Sequence, residues 1–337
     1  MKKSLVALAL FGAFAGAAHA QSSVAIYGTI DAGLGKATGK TTAVTKRDNN
    51  KLGFKGVEDL GNGLKALFQL EIRYESDTGQ LENGSNGSQR PLFQGQSRVG
   101  LQGDFGTVRL GRGLTAFQES STAFEPWSGM PTQVGFQSDL HTGGYNSDPQ
   151  GGTVSSKNRF SNAIFYNTPV MSGFQVNATV ATKEATAVPV TENPSVVGDA
   201  KVSPYSLSAT YTNGPFAGMA AYERNAAETK VWSVAASVNP IQDLKLMASY
   251  TKQDQSKSVA VNPNTKSWVI GANYTVGAGL IRAGYGQKTP DGVTKTKQAS
   301  LGYEYNLSKR TYVYADVSQK KIATSVNYYG VGLHHNF

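Results

Sequence analysis

In the stretch KLGFKGVEDLGNGLKALFQLEIRYE, Lys51 to Glu75, apolar and charged side chains alternate up to an acidic, glycine-rich turn and then alternate again. Leu52 and Phe54 stand between Lys51 and Lys55; beyond the turn Leu64, Ala66, Phe68, Leu70 and Ile72 stand between Lys65, Gln69, Glu71 and Arg73. A strand turns successive side chains to opposite faces, so each run predicts a strand with one apolar and one charged face. The pattern begins at Val24–Leu34 and recurs at Phe174/Val176/Ala178/Val180, Tyr205/Leu207/Ala209/Tyr211, Val234/Ala236/Val238, Leu244/Leu246/Ala248/Tyr250, Trp268/Ile270/Ala272/Tyr274, Ala299/Leu301/Tyr303/Tyr305 and Tyr329/Val331/Leu333/His335/Phe337.

A soluble sandwich also alternates, but its inner faces interdigitate with a second sheet about 10 Å away and favour bulky Ile, Leu, Val and Phe. Here many apolar-face positions are Ala or Gly, and charge falls in the middle of strands on the other face. Aromatic residues end the apolar rows: Tyr205 and Tyr211, and Trp268 and Tyr274, are six residues apart, about 20 Å along a strand. An aromatic girdle at each membrane interface accounts for that spacing.

Residues 1–20 carry Lys2 and Lys3, an apolar run and Ala18-His19-Ala20, which reads as a cleaved secretory signal peptide. The remaining 21–337 is expected to form one barrel domain. Zero cysteines in an exported chain exclude a small disulfide-stapled scaffold. The net charge of +9 is dispersed, without a run of five or six basic residues, which together with export excludes a nucleic-acid partner. After residue 20 no apolar stretch approaches the 18–20 residues a membrane helix needs.

Seven short connections, EDLGNG, GDFG, TPVMSG, TNGPFAG, NPIQD, TVGAG and NLSKR, alternate with eight longer polar ones near 36–49, 76–96, 114–156, 184–202, 225–229, 253–264, 288–295 and 319–325. They join sixteen strands and put both chain ends at the short-turn side. The expected fold is all-β, a 16-stranded antiparallel transmembrane β-barrel with lipid outside and water inside, closed because hydrocarbon tolerates no sheet edge.

The segments LGFKGVEDLGNGLKALFQLE, SSVAIYGTIDAGL, GDFGTVRLGR and YYGVGLHHNF resemble the general porins of Gram-negative bacteria, in particular the β-proteobacterial branch. The resemblance spans essentially the whole mature chain. It implies an outer-membrane homotrimer of diffusion channels for small hydrophilic solutes and ions. It also implies a third loop folded into the barrel, here about 114–156, and a terminal Phe337 read by the barrel-insertion machinery. The second loop, about 76–96, is expected to reach a neighbouring subunit.

Strand parity sends Lys51, Lys55, Arg98, Arg109, Arg159 and Arg282 to the lumen, with Arg112 at a strand end. The resemblance places Lys51, Arg98 and Arg159 in a basic cluster opposite the loop, whose acidic residues are Glu119, Glu125, Asp139 and Asp148. A modest anion preference is expected from that cluster. No catalytic set, cofactor or metal is expected: His334 and His335 point to opposite faces, His141 is isolated, and the LGKATGKT segment has Leu34 where a phosphate loop needs Gly. A channel tuned to organic anions or sugars is the alternative within transport. An outer-membrane hydrolase or adhesin is the alternative from another class.

Overall fold

The computed structural model describes residues 23–84, 87–154, 156–183, 202–257 and 263–337. The signal-peptide reading, and nearly all of the loop expected at 184–202, fall outside them.

Sixteen antiparallel strands close into a barrel. They are β1 Ser23–Ala37, β2 (Ala43–Thr45 and Asn50–Gly61), β3 Leu64–Tyr74, β4 Gln96–Gly103, β5 Gly106–Leu114, β6 Arg159–Asn167, β7 Phe174–Ala181 and β8 Tyr205–Asn213. The second half comprises β9 Phe216–Arg224, β10 Lys230–Ile241, β11 Leu244–Asp254, β12 Asn264–Val276, β13 Gly279–Pro290, β14 Thr296–Asn306, β15 Thr311–Lys321 and β16 Ser325–Asn336. The two pieces of β2 both pair with β1, as one strand interrupted at 46–49. Each strand pairs with its sequence neighbours, and β16 closes on β1 from Thr29↔Asn336 to Ala37↔Tyr328. Gly28 and Phe337 exchange backbone hydrogen bonds of 3.0 and 3.1 Å, so the start of β1 and the C-terminal residue lie at the short-turn rim.

The burial is inverted relative to a water-soluble protein. Large apolar side chains cover the outside, with Val24 69%, Val331 55% and Ile270 52% exposed, whereas Thr29 and Asp31 inside are fully buried. Such a surface suits acyl chains, and every strand edge is paired because lipid offers backbone groups no partner. Aromatic pairs mark the loop-side girdle: Tyr205 with Tyr222, Trp232 with Tyr250 and Trp268 with Tyr285 have ring centroids 5.5–5.8 Å apart. Phe174 and Tyr211, 4.2 Å apart, belong to the turn-side girdle.

Candidate functional site

The connection between β5 and β6 lies inside the barrel. It opens with helix α1, Ala116–Ser121, capped by Thr115, whose hydroxyl accepts from the Gln118 amide. Its apolar side chains form two clusters against the inner wall. Phe117, Phe124 and Tyr145 pack on Met219, Ala221, Val231 and Ala235; Trp127, Val134, Phe136 and Leu140 pack on Val269 and Tyr328. These wall residues are apolar exceptions on inward positions of β9, β10, β12 and β16, and each large loop side chain buried there contributes roughly 1.5–3 kcal/mol.

Polar bonds hold the loop to the same arc of wall. The amides of Ala116 and Phe117 donate to Thr179 and Ser206 at 3.1 and 2.8 Å. Thr251 donates to the His141 carbonyl at 2.7 Å, and Gln298 to those of Val134 and Gly135 at 3.2 Å. Arg282 and Asn273 both donate to the Pro126 carbonyl. Asp139 accepts from both Lys288 and Lys320. Burial alone would raise the Asp139 carboxyl pKa, but the two ammonium groups outweigh it and hold the group below its ordinary range. His141 is buried with its Nε2 3.0 Å from the Ser121 carbonyl and its Nδ1 2.8 Å from the Ser249 hydroxyl. One nitrogen therefore donates and the other accepts, a neutral ring, and burial pulls its pKa down to about 4.

The loop thus lines the wall from β7 to β16 and leaves the arc from β1 to β5 facing open space. That arc is basic. Arg98 donates to Gln69 Oε1 at 2.9 Å, and Gln69 in turn donates to the Tyr27 hydroxyl at 2.7 Å. Lys55 Nζ stands 5.3 Å from the Tyr27 ring centroid, and Arg109 is hydrogen-bonded to Asn167. Lys55, Gln69, Arg98 and Arg109 line a cavity of about 250 Å³. From the loop, Glu119 faces this wall, 3.8 Å from Arg109. A second space of about 330 Å³, between loop and wall, is lined by Glu119, Ser120, Asn177, Gln175 and Lys245. A passage with cations on one side and an anion on the other can sort ions without binding them tightly.

The sequence model described as Gram-negative porin matches residues 4–324. The chain belongs to the Gram-negative porin family. This porin is 32% identical over 343 residues to outer membrane porin protein 32 of Delftia acidovorans, covering 94% of this chain and 89% of that protein. Over 378 residues, spanning all of both chains, it is 28% identical to the major outer membrane protein P.IB of Neisseria lactamica. The solved structure described as an anion-selective porin from Comamonas acidovorans superimposes with a TM-score of 0.77 at 26% identity, covering 94% of this chain and 100% of that one. OmpT of Vibrio cholerae in its trimer form shares the fold, with a TM-score of 0.68 at 16% identity over 94% of this chain and 99% of that one. The protein is an outer-membrane porin.

Within this porin the basic residues separate into two groups. Lys51, Lys55, Arg98 and Arg109 stand on the arc opposite the loop, whereas Arg159, Arg112 and Arg282 are buried in local bonds. Arg159 donates to the Gly95 carbonyl at 2.6 Å, and Arg112 to the Gln94 carbonyl at 3.0 Å and Ser161 at 2.7 Å. Both guanidiniums therefore secure the return of the 75–95 loop into β4, so Arg159 is engaged there instead of standing free in the cluster with Lys51 and Arg98 that the resemblance implies. Arg282 is paired with Glu304 at 2.6 Å and holds the loop through Pro126. Glu125 turns away from the passage, fully buried, and accepts from the amides of Gly129 and Phe136 at 3.0 and 2.9 Å. Burial raises its pKa despite those bonds. Asp148 is also buried, bonded to the Gly151 amide at 3.0 Å.

Parity would also have found Lys288 and Lys320, which share the inward phase of Arg282 on β13 and alternate with Val317 and Gln319 on β15. No periodicity could have found Arg47. From the break in β2 it runs into the barrel, 2.8 Å from Glu304 and 3.0 Å from Asp316, with its guanidinium 4.8 Å from the Tyr314 ring centroid.

Two wall glycines make room for the loop. Gly271 and Gly284 are register partners, and a Cβ at Gly284 would stand 2.5 Å from Phe136 Cε2 while one at Gly271 would overlap the Pro126 ring. Gly271→Leu should therefore push the loop toward the basic arc. Single-channel conductance is expected to fall about twofold or more, with barrel assembly in gel-shift assays unchanged; unaltered conductance would show that the loop does not depend on this seat.

Proposed function

We propose that the passage between the 115–158 loop and the β1–β5 wall is the narrowest part of a general diffusion pathway for small hydrophilic solutes and ions, with a modest preference for anions. The observation that carries this reading is the facing pair of Arg109 and Glu119, backed on the wall by Arg98, Lys55 and Lys51. The wall supplies several cations against one exposed loop carboxylate, so the transverse field is unbalanced toward anion entry. The relative in Comamonas acidovorans described as anion-selective supports the same sign. Passage is passive, and no catalytic step, cofactor or metal enters it. Liposome swelling tests the breadth of the pathway: uptake that falls smoothly with solute size fits general diffusion, whereas saturation by one organic anion would favour a tuned channel.

Assembly belongs to the same reading. The fold relative from Vibrio cholerae is described in a trimer form, which supports a homotrimer here. Phe337, which seals β16 against β1, is the proposed signal to the insertion machinery, and residues 1–20 the cleaved export signal. Glu82 is bound by Arg90 at 3.2 Å and Lys46 at 3.6 Å, giving the second loop a firm base from which to meet a neighbour. Native gels of mildly extracted protein should show a heat-dissociable trimer, and deletion of 78–94 should weaken it without abolishing the barrel. A wild-type monomer under mild extraction would refute the trimer.

A further inference from the structure

The first loop leaves β1 after Ala37, forms the short piece Ala43–Thr45 of β2, and breaks the ladder at 46–49 before β2 resumes at Asn50. Hydrogen bonds define the break. The Arg47 amide donates to Asp31 Oδ1 at 2.7 Å, and the Asp31 amide donates to Asn50 Oδ1 at 2.6 Å. The same Asp31 carboxylate accepts from the Tyr314 hydroxyl at 2.8 Å and lies 3.0 Å from His334 Nδ1. Asp31 thus ties the break to β15 and β16 and fixes the point from which the Arg47 side chain departs. Reach depends on that point. Glu304 stands on β14, four strands from β2 around the barrel, about 19 Å along the wall and beyond any side chain that stays in the ladder.

From there the buried guanidinium meets two carboxylates with different atoms. Nη2 is 2.8 Å from Glu304 Oε1 and Nε is 3.0 Å from Asp316 Oδ2, while the rings of Tyr314 and Tyr312 lie beside the group. Both carboxylates sit behind the Pro126–Trp127 turn of the inner loop. Glu304 Oε1 also accepts from Arg282 Nε at 2.6 Å, and Arg282 donates to the Pro126 carbonyl. A Cβ on Gly302 would overlap the Asp316 carboxylate and stand 3.1 Å from Trp127 Cζ2, so carboxylate and indole share the space over one glycine. Cation and anion alternate in one buried row, Arg282, Glu304, Arg47, Asp316. Three members belong to the wall, and Arg47 alone comes from the first loop. Among the described residues it is the one cation in ion-pair contact with Asp316.

We propose that Arg47 is a positioning residue for the passage: it fastens the first loop to the Pro126–Trp127 turn through Asp316 and the Glu304–Arg282 pair, and so sets how far the inner loop stands from the basic wall. The inference rests on the reading of that passage as the narrowest part of the pathway. Arg47 is buried and meets no permeating ion, so its influence passes through the loop. Without it Asp316 loses its cation, and a buried carboxylate left unpaired is costly enough to draw in water or move toward it, displacing the Trp127 ring that shares its space. Lysine would keep the charge but lacks the planar fork that engages two carboxylates at once.

The test measures the position of the loop directly. The chain has no cysteine, so Ser128→Cys, at an exposed site beside the turn, and Lys65→Cys on β3 each accept one spin label. Pulsed electron paramagnetic resonance then gives the loop-to-wall distance in the full-length barrel, and single-channel conductance is recorded on the same Arg47 variants without labels. With Arg47 present the labels should give one narrow distance distribution. R47M and R47M/D316N should broaden it about twofold or more and shift the conductance, with R47K in between. The double variant leaves Asp316 without a charge to bury, so it keeps the test available if R47M fails to assemble, and it separates fastening from neutralisation. A wild-type distribution in R47M/D316N would overturn the proposal, because Arg47 would then do no more than neutralise Asp316. A broadened distribution with unchanged conductance would uphold the fastening and contradict instead the reading of the passage as the narrowest point.

Discussion

Replacing Arg98 and Arg109 together by alanine is expected to lower the chloride-to-potassium permeability ratio about threefold or more at 0.1 M salt while leaving the channel open. The two guanidiniums line one cavity, and Glu119 approaches Arg109 at 3.8 Å, so together they dominate the field at the gap. A unit charge 4 Å away contributes about 1 kcal/mol in water, and two such charges act on cation and anion with opposite sign. The effect should shrink in 1 M salt, where the screening length falls from about 10 Å to about 3 Å. Glu119→Gln should shift the ratio the other way. Arg159→Ala is the discriminating control: bonded to the Gly95 carbonyl, it should loosen the 75–95 loop and leave selectivity nearly unchanged. If Arg159→Ala and the Arg98/Arg109 variant lowered the ratio equally, the division between wall cations and structural cations would be wrong.

The loop's seat should weaken in acid. His141 has its pKa lowered by burial to about 4 when the loop is docked, against about 6.5 for a solvated imidazole. A depressed histidine pKa means the undocked state binds the proton more readily, so the docked loop keeps its full stability above about pH 6.5 and loses it as the pH falls toward 4. The shift corresponds to about 3 kcal/mol across that window. Asp139, held low by Lys288 and Lys320, adds the same sign at still lower pH, once its carboxylate protonates. Glu125 works in the opposite direction, because its raised pKa favours the docked, protonated form as acid is added. His141→Gln separates these contributions, since an amide can keep both a donor and an acceptor but does not titrate. Between pH 7 and pH 4, wild-type channels should gain current noise and brief closures that H141Q lacks. Identical acid responses in the two proteins would remove His141 from the account.

The barrel was legible because lipid imposes a two-residue period on every strand and the turns and loops punctuate it. The short turns read from Gly, Pro, Asn and Asp fall at the junctions of the observed strands, as do the polar loops among the described residues, with β2 interrupted at 46–49. Parity also gave the face of Lys55, Arg98 and Arg109. It could not give partners. Arg112 and Arg159 are claimed by the carbonyls of Gln94 and Gly95, groups of a loop whose path no periodicity describes. Glu119 and Glu125 are six residues apart in the same loop, yet one faces the passage and the other caps buried amides, because α1 ends between them. The inward apolar residues Met219, Val231 and Val269 broke the polar phase of their strands, and that irregularity was the available sign of where the loop would dock.

Selectivity of the unmodified channel tests the central claim most directly. In a planar bilayer with a tenfold potassium chloride gradient at low salt, the zero-current potential should have the sign of chloride permeating faster than potassium, and should move toward zero as both solutions are concentrated. A reversal potential of cation sign at low salt would contradict the assignment of the basic β1–β5 wall as the surface that permeating ions meet.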